Sequence, residues 1–293
     1  MLDYCYLVNP YFNRSGIIDE MQAHFRALVS EYPAGMAVNS ALASMCWGIK
    51  PEYIIPGNGA AELIKALTEN LDGKVGVVRP TFEEYPNRLS AEQVVTFVPQ
   101  DESFRYGASD MIEFFGANPV ETLLLINPDN PSGNFIPLED VHQLAQWCEE
   151  RGMRFVLDES FVDFSVGYAH NSFLDNSLME KYPHMCVLKS ISKSYGVPGL
   201  RLGILCSADT DLIARMKKQV SIWNINSFAE FFRSTPSTVL ITKKLATSSS
   251  RPAPTLRLRS ERFHSSASCP RRPTISSWKC FPLTSPRSYA PSC

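Results

Sequence analysis

Lys193 lies in the stretch VLKSISKSYGVPGLRLGIL, residues 187–205, with Ser190 and Ser192 before it and Gly196 and Gly199 after it. Arg201 follows eight residues later, with Gly203 two beyond. Small hydroxyls, glycine turns and an arginine are groups that hold an anion, the arginine through two directed charge-assisted bonds. A surface lysine needs no such company. An amine that forms a covalent bond beside a bound phosphate does.

Three other stretches carry chemistry of a compatible kind. In PGNGAAELI (56–64), Gly57 and Gly59 stand just before a helical pattern. The free N–H groups of Ala60 and Ala61 at such a helix start attract a phosphate, helped by the helix dipole. In INPDNPSGNF (126–135), Asn130 either hydrogen-bonds a ligand or initiates the turn. FVLDESF (155–161) ends an apolar run in Asp158-Glu159. A carboxylate there is costly unless partnered, so it either caps the next segment or faces a cationic ligand atom such as a protonated ring nitrogen. Each signal alone is weak. Together they supply partners for a phosphate, a phenolic oxygen, a pyridine nitrogen and an aldehyde, which are the functional groups of pyridoxal 5'-phosphate (PLP). No metal-ligand spacing occurs, and metal chemistry is not expected.

These residues need a scaffold, and the pattern provides one. The runs 74–80, 93–99, 121–128, 154–160 and 184–190 read as buried strands bounded by turn residues. Helical patterns occupy 60–71, 137–152 and 211–223. The second starts with Pro137 and acids and ends in Arg151-Gly152, as helix punctuation should. Strands separated by amphipathic helices imply right-handed crossovers and a mostly parallel sheet, hence a three-layer α/β/α domain. In such sheets ligands collect where strands end and helices begin.

Composition sets further bounds. The 293 residues are 44% hydrophobic, ordinary for a globular chain, and contain no apolar run long enough to span a membrane. The start MLDYCYLVNPYFNRSG has no signal-peptide pattern, and eight scattered cysteines read as reduced thiols in the cytoplasm. Residues 233–293 hold 11 Lys and Arg against one acid, Glu261, together with 14 Ser and 8 Pro. This segment is expected to be disordered. It reads either as a basic interaction tail or, as we favour, as a shifted reading frame, because the change falls inside an apparent helix, SFAEFF. The tail lacks a repeated basic-aromatic pattern and the body is acidic, so nucleic acid is not an expected partner. The expected organisation is an N-terminal segment (1–35), a cofactor-binding domain (36–232) and the tail (233–293).

The ordered motifs GNGAAE, PTFEEY, NPDNPSG, DESF, SISK and GLRLG, spread over roughly residues 5–232, resemble the class I/II, fold-type I PLP-dependent aminotransferases. The likeness is greatest to the histidinol-phosphate aminotransferase group and its relative threonine-phosphate decarboxylase. The resemblance implies that Lys193 is the Schiff-base lysine and proton-transfer base, and that Asp158 keeps the pyridine nitrogen protonated. It implies phosphate contacts from Ser190, Ser192, Arg201 and the Gly59, Ala60 and Ala61 turn. Asn130 would bond the phenolic oxygen, and Phe82 would stack on the ring, with Tyr85 the second choice. Tyr32 would reach the phosphate of a neighbouring subunit, making a homodimer with a small-molecule amino-acid substrate. Phe161 stands where the aminotransferases commonly place a tyrosine that also bonds the phenolic oxygen, so DESFVDF looks closer to the decarboxylase branch. The family's C-terminal small domain has no counterpart after Phe232. Amino transfer is therefore the expected reaction, with decarboxylation, or an inactive cofactor-binding fragment, as alternatives.

Overall fold

A computed structural model of the chain describes residues 7–12, 15–165, 167 and 170–234. Three helices come first: α1 (Ser15–Ala23), α2 (Phe25–Ser30) and α3 (Met36–Trp47). Strands and helices then alternate as β1 (Ile54–Asn58), α4 (Ala60–Thr68), β2 (Val75–Val78), β3 (Val94–Phe97), α5 (Ala108–Ala117), β4 (Thr122–Ile126) and α6 (Leu138–Glu149). The second half continues with β5 (Arg154–Asp158), α7 (Asn176–Lys181), β6 (Met185–Ser190), α8 (Ile191–Ser194), β7 (Leu202–Cys206), α9 (Thr210–Gln219) and α10 (Ser227–Ser234). All five expected strands and all three expected helices are present, each trimmed by a few residues.

Two strands went unread in the sequence, and their composition explains why. β1 is IIPGN, in which a proline and a glycine interrupt the apolar run. It lies at the sheet edge, the position where a strand tolerates proline. β7 is LGILC, also broken by glycine. The sheet order is β1-β7-β6-β5-β4-β2-β3. Neighbours from β6 through β3 pair in parallel, whereas β7 runs antiparallel to both β6 and β1. One reversed strand in seven keeps the sheet mostly parallel.

Strand periodicity sorts the side chains into two cores. Leu123, Leu125, Phe155, Leu157, Met185 and Val187 join one, packed against Met111 and Phe115 of α5 and Val141 and Leu144 of α6. Leu124, Ile126, Val156, Cys186 and Leu188 join the other, beneath Leu63, Ile64 and Leu67 of α4 and Leu212, Ile213 and Met216 of α9. Helices thus cover both faces of the sheet, giving the three layers expected. Such double coverage is what makes these strands apolar runs instead of alternating ones.

α10 packs on α3 and carries the chain two residues beyond the expected domain boundary, through Arg233 and Ser234. The rest of the tail, and with it the expected loss of a C-terminal small domain, lies outside the described residues. Arg233 is 1% exposed. Its guanidinium donates to the backbone and side-chain oxygens of Asn39, but Nε has no acceptor among the described residues. Burial lowers its pKa to about 10. Among the described residues no carboxylate lies in salt-bridge range of it and Glu230 attracts it only from farther off, so the buried cation is a net cost to the fold. Arg233→Met, which keeps the bulk and removes the charge, is expected to raise the unfolding free energy in urea by roughly 1–3 kcal/mol. An unchanged or lower value would show that the bonds to Asn39 offset the desolvation.

Candidate active site

The parallel strands deliver their chemistry to one edge of the sheet. Asp158 is the last residue of β5, Asn130 follows β4, Phe82 follows β2, and Lys193 sits on α8 directly after β6. Ala60 and Ala61 open α4 directly after β1. Because β7 is reversed, its beginning lies at this same edge, which brings in Arg201 just before Leu202. The register fixes the match, with Gly203 opposite both Ser190 and Gly57. A cavity of about 280 Å³ opens here, lined by Ala60, Ala61, Phe82, Asn130, Asp158, Phe161, Ser190, Ser192, Lys193 and Arg201. Leu7, Val8 and Ser160 also line it, and the sequence reading had not singled them out.

At the acid end Asp158 is 3% exposed and both its oxygens are occupied. The Tyr85 hydroxyl donates to one at 2.9 Å and the Ser160 backbone N–H to the other at 2.8 Å. Burial, reinforced by the Asp158 charge, pushes the Tyr85 phenol well above its ordinary pKa, so it stays a donor. This corrects the expectation that Tyr85 is the second candidate to stack on a ring. Its own ring is packed in the α4-side core, and only its hydroxyl serves the site. Glu159, the other carboxylate at the strand end, points the opposite way and is 1% exposed. It accepts from the Ser172 hydroxyl and the Phe173 N–H, tying down that loop. Burial pushes its pKa up to about 7, opposed by nearby Lys189.

The lysine lies against aromatic faces. Its Nζ is 3.8 Å from the Phe161 ring centre and 5.7 Å from that of Phe82. Burial lowers the Lys193 pKa, while the Asp158 charge pulls it partly back. Net depression leaves more free amine near neutral pH than a solvated lysine has, which is what a nucleophile at a carbonyl requires.

The anion end depends on two close approaches. Gly59 has φ +79°, and a Cβ there would come within 2.5 Å of Arg201 Nη2, so the guanidinium lies across the glycine at the start of α4. Gly59 serves by making that room and does not itself line the cavity. A Cβ on Gly203 would meet the Ala60 nitrogen at 2.7 Å, so only glycine lets α4 begin directly on β7. The Ser192 hydroxyl accepts from Leu202 N–H at 2.9 Å, which fixes the corner holding Arg201. Ser160 accepts from Ser190 N–H at 3.0 Å, tying the end of β5 to that of β6. Asn130 rides on a loop closed by Asn127, whose amide bonds both the N–H and C=O of Ile136 at 2.9 Å. Tyr32 is 79% exposed, stacks on Trp223 at 4.2 Å, and does not line this chain's own cavity.

The residues present fit PLP. A guanidinium and helix-start N–H groups stand at one end, a buried carboxylate at another, and a largely buried amine lies between aromatic faces. The chain matches the model of the family "Aminotransferase class I and II" over residues 27–245 and belongs to that family, which is PLP-dependent. It is 34% identical over 232 residues to CMP-5'-(3-aminopropyl)phosphonate synthase of Streptomyces rubellomurinus, covering 78% of this chain and 36% of that one. It is 29% identical over 240 residues to L-serine phosphate decarboxylase of Sulfurospirillum multivorans, covering 78% and 60%. The histidinol-phosphate aminotransferase structure from Clostridium acetobutylicum superposes with a TM-score of 0.67 at 23% identity, over 83% of this chain and 72% of that one. The chain thus spans between about a third and three fifths of the length of these two curated relatives.

Two outcomes follow from this geometry. In PLP-free protein, acylation of Lys193 by acetic anhydride, followed by peptide mass spectrometry, should show a pH midpoint below the ~10.4 of a solvated lysine. A midpoint at or above that value would mean the amine is not desolvated. Tyr85→Phe removes a bond to a buried charge and should lower the unfolding free energy by about 1.5–3 kcal/mol. A variant as stable as the parent would show that the hydroxyl does nothing for Asp158.

Proposed function

We propose that this chain uses PLP to break a bond at the α-carbon of an amino acid bearing a phosphate or phosphonate group, with decarboxylation as the net reaction. The observation that carries the reading is a single cavity lined by the Lys193 amine, the Asp158 carboxylate and the Phe161 ring. The printed activities of two relatives, a serine phosphate decarboxylase and an aminopropylphosphonate synthase, support the substrate class. Amino transfer, anticipated from the sequence, is the second reading, and the family's description favours it.

Bound PLP supplies an aldehyde for the substrate amine and a protonated ring that takes up the electron pair left at the α-carbon. The chain's own groups do the rest. Arg201 and the N–H groups of Ala60 and Ala61 hold the phosphate, with Ser190 beside them. Asp158, oriented by Tyr85 and Ser160, holds the proton on the ring nitrogen. Phe82 covers one ring face and Asn130 donates to the phenolic oxygen. Lys193, the amine nearest the acid end, would bind the aldehyde and give or take a proton at the α-carbon. A phenyl ring at Phe161 gives the phenolic oxygen one donor fewer than a tyrosine there would.

Tyr32, stacked at the surface away from its own cavity, supports a homodimer in which it serves the partner's phosphate site. No helix among the described residues is long and apolar enough to cross a membrane. Cys148, Cys186 and Cys206 are buried free thiols, which supports a reducing, cytoplasmic setting.

Purified protein mixed with PLP should develop a visible absorption band that Lys193→Ala abolishes. With O-phosphoserine it should release carbon dioxide together with the corresponding amine. Accumulation of a keto acid and pyridoxamine phosphate instead would return the assignment to amino transfer. Failure of any visible band to form would sink both.

A further inference from the structure

Lys193 is carried by α8, a helix of only four residues, too short to hold itself together. The residues that follow supply part of what a longer helix would: the N–H groups of Tyr195, Val197 and Gly196 donate to the carbonyls of Ile191, Ser192 and Lys193 at 3.4, 2.9 and 3.2 Å. Two carbonyls of the turn are also met from near the N-terminus of the chain. The Asn9 backbone N–H donates to the Lys193 carbonyl at 2.8 Å, and the Asn9 side-chain amide donates to the Ser194 carbonyl at 3.0 Å. The amide is itself oriented, because its oxygen accepts from Tyr11 N–H at 2.9 Å. Phe12 adds an edge-on ring contact to Tyr195 at 5.1 Å.

The opposite side of the same turn is gripped as well. The Ser194 hydroxyl donates to Asp163, whose other oxygen accepts from Lys189 at 2.7 Å. Lys189 is 6% exposed, so that grip is anchored in the body of the domain. Ser194 is thus held between a fixed internal network and Asn9. Just ahead of Asn9, Leu7 and Val8 line the cavity.

We propose that Asn9 is a positioning residue for Lys193: it braces the one-turn helix that carries the amine and makes the lysine's setting depend on the segment whose Leu7 and Val8 line the cavity. The inference rests on the reading of Lys193 as the reactive amine. Physically, Asn9 restrains the rotation of α8. Without its side-chain donor Ser194 is held from the Asp163 side alone, and the turn shifts so that the amine moves toward water, where it behaves more like a solvated lysine.

The test uses the whole chain in PLP-free form, with three variants. Asn9→Asp keeps the acceptor for Tyr11 but replaces the donor to Ser194 with an anion. Asn9→Ala removes both functions with little change in bulk at a partly exposed site. Phe12→Ala loosens the same segment without touching the α8 carbonyls. The readout is the pH midpoint of Lys193 acylation by acetic anhydride, followed by peptide mass spectrometry, alongside the thermal midpoint. Both Asn9 variants are expected to raise the acylation midpoint by about half a unit, a ~3-fold fall in free amine at a given pH below it. Asn9→Asp should move it at least as far as Asn9→Ala, and Phe12→Ala should leave it in place. Midpoints matching the parent in both Asn9 variants would overturn the proposal. So would an equal shift in Phe12→Ala, since the segment would then act only as a cover. Because acylation is read without cofactor, failure to bind PLP would overturn the functional reading and leave this result standing.

Discussion

A carboxylate with almost no solvent contact sits at the tip of a central strand, and the site is organised around keeping it there. Asp158 tolerates burial because a phenol and a backbone amide each give it a hydrogen bond. Those two donors come from different places, the turn after β2 and the residues just past β5, so the charge links the ends of two strands that flank β4. A buried negative charge of this kind is stabilised further by any cation placed beside it. A protonated ring nitrogen is such a cation, and the Lys193 amine, whose pKa the same charge raises against the effect of burial, is drawn to the same cavity. Acid, amine and ligand therefore share one electrostatic problem.

The reversed strand solves a second problem. Parallel strands can offer only the groups at their C-terminal ends to a common edge. A strand running the other way offers its start, and an arginine stands directly before β7. Antiparallel pairing of β7 with both β6 and β1 puts Arg201 between the lysine turn and the start of α4. Glycines at 59 and 203 then allow the guanidinium, the strand and the helix start to approach more closely than any Cβ would permit. The anion site is a product of that crowding.

Much of this was legible in the chain. The strand at 154–158 and the lysine stretch announced themselves through apolar runs ending in charged or hydroxyl residues, a juxtaposition that is costly without a ligand. Of the residues expected at the site, ten line the one cavity. The role of Tyr85 was misassigned, because spacing along a turn does not say which end of an aromatic side chain faces the ligand. Ser192 lines the cavity, and its hydroxyl also accepts from the Leu202 N–H, a contact made across ten residues that no local pattern shows. The edge strand β1 was hidden by its proline, which harms a central strand and is harmless at an edge.

The sequence by itself determined the fold class and the order of the motifs, and it singled out the lysine and the strand-end carboxylate pair, since each depends on local periodicity and on residue types that make sense only with a partner. The tertiary structure alone decided which of two adjacent carboxylates faces the cavity and that β7 runs backwards. It alone also decided that an asparagine 184 positions away from Lys193 caps that residue's own carbonyl. Those outcomes depend on strand direction, side-chain facing and contacts between distant segments. None of these leaves a trace in the spacing of residues along the chain.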